Sequence, residues 1–158
     1  MKVTIGDPDQ KQLLINESSL ISYLDSDEII KCVDLYEYKN KIWIILDLLD
    51  GGDLSSIVFN YHDRYSEDFC KYTLYKVAKG LQKMHGKNVL HRDIKSNNIL
   101  CSKNGDIKIA DLGFSAILSK QQAFRRSMQG TSNWVAPEVI SDVHYSKEID
   151  VWSYGAFA

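Results

Sequence analysis

The amino-acid sequence predicts an α+β fold, in which amphipathic helices are combined with antiparallel strand pairs. Three features indicate this class: a helical apolar pattern near the start, two β-rich runs around a short turn, and a longer amphipathic helix followed by a tight hairpin. With 158 residues, 44% of them hydrophobic, the chain can bury the core of one ordinary domain.

The first helix is predicted to begin at Asp7-Pro8-Asp9, because Asp caps helix N-termini and Pro is favoured in the first turn. Its apolar positions recur at helical spacing: Leu13, Leu14, Leu20, Ile21 and Leu24. Glu17 falls on the same inward face. A carboxylate is costly to bury alone, so Glu17 indicates a buried cationic partner.

Two β-rich runs follow, residues 29–38 and 42–49, and the short turn between them predicts an antiparallel hairpin. Gly51-Gly52 then breaks the chain, and the composition changes character there. Ser66-Glu67-Asp68 opens a second amphipathic helix, which Gly86 ends.

A second hairpin is predicted where residues 99–101 and 107–109 flank Asn104-Gly105, a strong turn signal. Antiparallel pairing would place Asn98 and Asp111 at the same open end. An amide oxygen beside a carboxylate suits a hard cation such as Mg²⁺. Taken alone, however, the two residues are more often explained as strand endings, where Asn and Asp are common.

Composition narrows the classes of partner and compartment. The formal net charge of −2, with 19 basic and 21 acidic residues interspersed, argues against nucleic acid or an anionic membrane as a partner. The cysteines lie far apart with no metal-ligand spacing, and no apolar run approaches membrane-spanning length. We therefore expect a soluble, cytoplasmic protein.

Four linked motifs then define a family resemblance. Asp93 lies in His91-Arg92-Asp93, shortly before Asn98, and Asp111 begins Asp111-Leu112-Gly113. Downstream come Ala136-Pro137-Glu138 and Asp150-Val151-Trp152. In order and spacing these motifs resemble the catalytic domain of eukaryotic Ser/Thr protein kinases, and the surrounding residues are most like the PAK and germinal-centre kinases.

The resemblance implies a role for each residue around Asp93. Asp93 would accept the proton of the substrate hydroxyl, and Lys95 would neutralise charge on the transferring phosphate. Thr131 would organise both of them. Asn98 and Asp111 would hold the two Mg²⁺ ions that bridge the phosphates, and ATP would be the phosphoryl donor.

The resemblance also implies an adenine site at the end of residues 42–49. Leu46 would occupy the gatekeeper place, and backbone groups of Asp47 to Leu49 would bond the base. Leu100 and Ala110 would form apolar walls, although apolar side chains are equally expected of an ordinary core.

Two further pairs follow from the resemblance. Glu17 would pair with the lysine of the third strand of the small lobe, and Lys2 stands near the expected position; the alternative is a frayed terminal lysine in water. Ser127 is a candidate phosphorylation site, and Arg92 would bind the phosphate on it. The alternative is that Ser127 is an ordinary polar loop serine.

In domain terms, residues 1–50 are expected to form part of the kinase N-lobe and residues 51–158 part of the C-lobe. The sequence contains no Gly-rich phosphate loop, so a piece or degenerate copy of a longer kinase is expected. The predicted function is a protein Ser/Thr kinase, with a protein substrate and an upstream activating kinase as partners. The alternative is a non-catalytic, kinase-like binding module with little or no turnover.

Overall fold

A computed structural model describes most of the chain: residues 2–3, 8–39, 41–61, 65–119, 124–125, 127, 130–141 and 143–158, with side chains from residue 10 onward. Within these ranges the helices are α1 (Pro8–Leu24), α2 (Leu54–Tyr61), α3 (Glu67–Gly86), α4 (Pro137–Ile140) and α5 (Glu148–Phe157). The strands are β1 (Lys2–Val3), β2 (Cys32–Tyr38), β3 (Lys41–Leu46), β4 (Gly52–Asp53), β5 (Val89–Leu90), β6 (Ile99–Cys101), β7 (Ile107–Ile109) and β8 (Ala116–Ile117). Short 3-10 turns cover Ser96–Asn98, Leu112–Phe114 and Ser132–Trp134.

The strands form three small sheets, ordered β1-β3-β2, β4-β6-β7 and β5-β8, and every strand pair is antiparallel. The mixture of helices and antiparallel strands confirms the predicted α+β class. None of the helices in the described part of the chain is both long enough and apolar enough to cross a bilayer.

The predicted first hairpin is confirmed between β2 and β3, but it is shorter than expected. Residues 29–31 and 47–49 lie outside it. Ile29 instead forms a parallel bridge with Ile109, and the Ile30 N–H donates to the Ile109 carbonyl at 2.9 Å. The segment after α1 therefore pairs with β7 and does not extend strand β2, because Ile29 and Ile30 are buried there.

Side-chain hydrogen bonds cap the start of α3 and the end of α1. Ser66 caps α3, since its Oγ accepts the Phe69 N–H at 3.1 Å. At the other end of α3, Lys87 donates to the Leu24 carbonyl at 3.2 Å and also to that of Tyr23, both in the last turn of α1. One lysine therefore satisfies the C-terminal carbonyls of α1 and joins the ends of the two helices.

The hairpin β6–β7 lies at the centre of the packing. Its Ile99, Ile107 and Ile109 are fully or nearly fully buried against α3, whereas Leu100 and Lys108 lie on the opposite, half-buried face. A core on one face fixes the hairpin in place and leaves the other face for a site.

An ion-pair cluster fastens the loop after α1 to α3. Glu28 accepts from Lys76 at 2.8 Å and lies 3.3 Å from Lys79, and its side chain is only 12% exposed. The hydrogen bond from Lys76 is the main reason why the pKa of Glu28 falls to about 2. The pair forms between residues 48 positions apart, so it restrains the tertiary fold.

We predict that Glu28→Gln destabilises the protein by about 1–2 kcal/mol at pH 7, after allowance for solvent screening. The folded-state pKa lies below the ordinary 4.5, so the contribution is complete above that pH and is lost as the pH falls toward 2. Urea unfolding at a series of pH values measures it. Glu67→Gln is the matched control, because its Lys71 pair is exposed on both sides. Equal stabilities of Glu28→Gln and the wild type at pH 7 would contradict the account.

Candidate functional site

The open end of hairpin β6–β7 brings Asn98 and Asp111 together, as predicted. Ile99 pairs with Ile109, and the Ala110 N–H donates to the Asn98 carbonyl at 2.8 Å. Asp111, the next residue, has left-handed backbone angles, with φ 63° and ψ 70°. The two residues therefore flank one backbone hydrogen bond at the mouth of the hairpin.

Asp93 is the centre of a hydrogen-bond network beside this mouth. It is 2% exposed, its Oδ2 accepts from Lys95 Nζ at 2.7 Å, and its Oδ1 accepts from the Thr131 hydroxyl at 2.7 Å. Lys95 also donates to Thr131 Oγ1 at 2.6 Å. The structure thus brings together three residues that the sequence analysis singled out, one of them far along the chain.

The orientation of the Asn98 amide is set by Asp93. Asn98 Nδ2 donates to the Asp93 carbonyl oxygen at 2.8 Å and to Asp93 Oδ2 at 2.9 Å. Both partners are acceptors, so the nitrogen must face them and the amide oxygen faces away. That leaves a hard oxygen ligand on Asn98, at the same end of the hairpin as Asp111, and an amide oxygen with a carboxylate fits Mg²⁺ by donor type.

The same donors decide the charge of Asp93. Burial raises the pKa of its carboxyl, but the hydrogen bonds from Lys95, Thr131 and Asn98 together lower it more, and the net pKa lies below the ordinary value. Asp93 is therefore a carboxylate near neutral pH and can accept a hydrogen bond or a proton.

His91 is a structural neighbour of this network. It is fully buried, its Nε2–H donates to the Ala110 carbonyl at 3.1 Å, and its Nδ1 accepts the Asp93 N–H at 3.2 Å. These partners require the neutral imidazole, and burial lowers the pKa of His91. His91 therefore positions Asp93 and does not compete with it as a base.

Asp150 of α5 anchors the loop that carries Asp93, a role that the sequence analysis missed. Its carboxylate is fully buried and accepts three N–H groups: the backbone of His91 at 2.9 Å, the backbone of Arg92 at 2.8 Å and His85 Nε2 at 2.8 Å. Arg92 has a φ of 71°, a strained value for a residue with a side chain. Asp150 holds that strained turn.

A signal for Asp150 was present in the sequence. It stands, with Glu148, in the first turn of a helix whose other residues are mostly apolar, and the reasoning applied to Glu17 applies to it. Its donors could not be found in the same way, because they lie 58 to 65 residues upstream.

Arg92 and Ser127, the predicted phosphorylation pair, are in direct contact. Arg92 Nη1 donates to Ser127 Oγ at 2.8 Å and to the Tyr145 hydroxyl at 3.2 Å. Tyr145 in turn donates to the Ser127 carbonyl at 2.7 Å. Ser127 is exposed, whereas Tyr145 is almost fully buried.

The residues predicted to surround a nucleotide base share one apolar cluster. Leu46, Leu49 and Leu100 pack against a buried group that contains Ala110. Asp47, by contrast, is polar and paired: its carboxylate accepts from Lys108.

Glu17 is 4% exposed on α1, as expected of a carboxylate on the inward face. The backbone of Lys2 pairs with Ile44 in the sheet β1-β3-β2. The side chain of Lys2 lies outside the described part of the structure, so its pairing with Glu17 stays a prediction.

Sequence comparison identifies the family of this chain. The family model for the protein kinase domain matches residues 1–158, the whole chain. The chain therefore belongs to the protein kinase family.

Relatives place it more narrowly. The chain is 38% identical over 146 residues to the serine/threonine-protein kinase STE20 of Kluyveromyces lactis. The aligned region covers 92% of this chain and 15% of that protein. It is 37% identical over 161 residues to shk1/pak1 of Schizosaccharomyces pombe, covering 99% and 24% respectively. It is 36% identical over 154 residues to PAK 5 of Rattus norvegicus, covering 98% and 21%. The chain thus spans 15 to 24% of the length of these relatives, and the resemblance to PAK-type Ser/Thr kinases is confirmed.

We predict that Asp150→Asn destabilises the protein by about 2–4 kcal/mol, because an amide cannot accept all three N–H groups and leaves a buried donor unpaired. Urea unfolding measures the loss. Asp68→Asn, in the exposed first turn of α3, is the matched control and should change stability by less than about 0.5 kcal/mol. A loss at Asp150 no greater than that of the control would show that the carboxylate does not anchor the loop.

Proposed function

We propose that the chain is the catalytic part of a protein Ser/Thr kinase, which transfers the γ-phosphoryl group of ATP to a Ser or Thr hydroxyl of a protein substrate. The observation that carries the proposal is the network in which Lys95, Thr131 and Asn98 surround the Asp93 carboxylate. Residues 1–50 and 51–158 would then correspond to parts of the N-lobe and the C-lobe.

Asp93 has the properties that a proton acceptor for a hydroxyl needs. Its pKa is lowered, its carboxylate is fixed by three side chains, and it lies beside the proposed metal ligands. Phosphoryl transfer requires alignment and charge neutralisation more than covalent chemistry. Asp93 would align the hydroxyl, and the ammonium of Lys95 would neutralise charge on the phosphate.

Asn98 and Asp111 would hold Mg²⁺, which neutralises the phosphate charge of bound ATP. The Asp93 contacts keep the amide oxygen of Asn98 free of that carboxylate. Mg²⁺ takes few protein ligands, and the rest come from water and phosphate.

The base of ATP would lie against Leu46, Leu100 and Ala110. In the described part of the chain, neither the Asp47 carbonyl nor the Leu49 N–H has a hydrogen-bond partner. These backbone groups are therefore open to a base edge, which supports the adenine site inferred from resemblance.

Ser127 is the proposed regulatory site. A phosphate on Ser127 would lie within reach of Arg92, whose guanidinium already donates to the Ser127 hydroxyl. An upstream kinase would supply that phosphate. We propose a cytoplasmic location, since the separated cysteines fit a reducing compartment.

The proposal is tested by phosphoryl transfer from radiolabelled ATP, with Mg²⁺, to a generic protein substrate such as casein or myelin basic protein. Asp93→Asn should lower the rate at least about a hundredfold, because the proton acceptor and the fixed alignment are both lost. Asp106→Asn is the matched control, since Asp106 lies in the turn at the opposite end of the same hairpin.

Transfer that proceeds equally with Asp93→Asn would overturn the role of Asp93. Absence of any transfer, together with a lack of ATP binding that depends on Mg²⁺ and on Asp111, would favour the kinase-like binding module instead.

A further inference from the structure

The segment between β3 and α2, residues 47–53, is fastened to hairpin β6–β7 at its far end. The Gly51 N–H donates to the Cys101 carbonyl at 2.9 Å, and the Asp50 carboxylate accepts the Lys103 N–H at 2.9 Å. A Cβ on Gly51 would lie 2.8 Å from that carbonyl oxygen, so the close approach requires glycine.

The near end of the segment is fastened by a different interaction, through Asp47. Lys108 Nζ donates to Asp47 Oδ2 at 2.5 Å, and the two side chains are 14% and 26% exposed. Asp47 Oδ2 also lies 3.3 Å from the Lys31 N–H, and the Asp47 N–H donates to the Lys31 carbonyl at 3.0 Å. Asp47 is therefore held from two sides, by β7 and by the residue that precedes β2.

Lys108 lies on the face of the hairpin that carries the proposed base site. Leu100 and Lys108 are direct cross-strand partners, and partners in a ladder share a face. Their neighbours Ile107 and Ile109 are buried on the opposite face. The stem of Lys108 thus runs beside Leu100 and ends at Asp47.

Between the two fastened ends, Leu48 is 86% exposed, and the Asp47 carbonyl and Leu49 N–H have no partner among the described residues. An acceptor followed by a donor matches the adenine edge, which offers an amino donor and a ring-nitrogen acceptor. The guanine edge offers the reverse pattern, a carbonyl acceptor and a ring N–H donor. The orientation of this peptide therefore decides which base is bound.

We infer that the pair of Asp47 and Lys108 holds the peptide of residues 47–49 in the orientation that selects adenine, which makes Lys108 a positioning residue for base selectivity. The inference rests on the proposed function, because it presupposes nucleotide binding at this segment. It adds a side-chain pair that acts on the base through the backbone and does not touch it.

Calorimetric titration of Mg²⁺-ADP and Mg²⁺-GDP into the wild type and into Lys108→Met tests the inference. Met keeps much of the stem and removes the ammonium. We expect ADP to bind about fivefold more weakly, with GDP unchanged or tighter, so that the ratio of the GDP to the ADP dissociation constant falls about fivefold or more.

Lys103→Met is the matched control on the same hairpin. Lys103 Nζ lies 3.9 Å from Asp50 and is 74% exposed, and its backbone N–H, which makes the close contact, is retained in the variant. Its selectivity ratio should equal that of the wild type. Asp47→Asn keeps an acceptor oxygen but removes the charge, so its ratio of the GDP to the ADP dissociation constant should lie between those of the wild type and Lys108→Met. It replaces Lys108→Met in the test if that variant does not fold.

The outcomes separate the inference from the proposed function. A Lys108→Met protein that binds nucleotide with the wild-type ratio, even with a lowered Tm, overturns the inference and leaves the function standing. If Lys108→Met does not fold, a wild-type ratio in Asp47→Asn overturns it likewise. A wild type that binds neither nucleotide overturns both.

Discussion

A buried carboxylate such as that of Asp93 must be paired and hydrogen-bonded on both of its oxygens. Leaving a buried charge without its partner costs about 3–5 kcal/mol. The donors come from Lys95, Thr131 and Asn98, which belong to two separate stretches of the chain. Once the carboxylate is buried, those stretches must meet at the mouth of the hairpin β6–β7. The position of Asn98, and with it the proposed metal site, follows from this requirement.

The loop that carries Asp93 cannot hold its own shape, because Arg92 has a left-handed backbone conformation. Strain of this kind costs about 1–3 kcal/mol and persists only where the surroundings enforce it. Asp150 supplies that enforcement from α5, through two backbone N–H groups and His85. A second helix, α3, takes part through His85 and also packs under the hairpin. Asp150 and His85, which lie outside the Asp93 network, thus fix the conformation of the loop that carries Asp93.

Local patterns predicted the parts of the fold that local physics governs. The N-cap of α3 and the turn at Asn104-Gly105 depend on a few neighbouring residues, so the sequence was sufficient for them; Asp7, the predicted cap of α1, lies outside the described residues. Residues 29–31 were wrongly placed in a strand, because a short apolar run fits a hairpin strand and a buried connecting segment equally well. Burial against Ile109 decides between the two, and that contact lies 80 residues away.

The candidate site shows the same division. Asn98 and Asp111 could be placed side by side from hairpin geometry alone, and the linked motifs added Asp93. The contacts of Asp150 with His85 and of Asp47 with Lys108 span about 60 residues and leave no periodic trace in the sequence. Tertiary structure was needed to find them.

The central claim of the proposed function is that Asn98 and Asp111 hold divalent cations beside Asp93. Paramagnetic broadening of amide NMR signals by Mn²⁺, added with ADP to the isotope-labelled protein, measures it directly. We expect selective loss of the Asn98 side-chain amide signal and of the backbone signals of Asp111 and Gly113, while Gly105, at the opposite end of the hairpin, keeps its intensity. Broadening that spares Asn98 and Asp111 and falls instead on the acidic segment of residues 25–28 would contradict it.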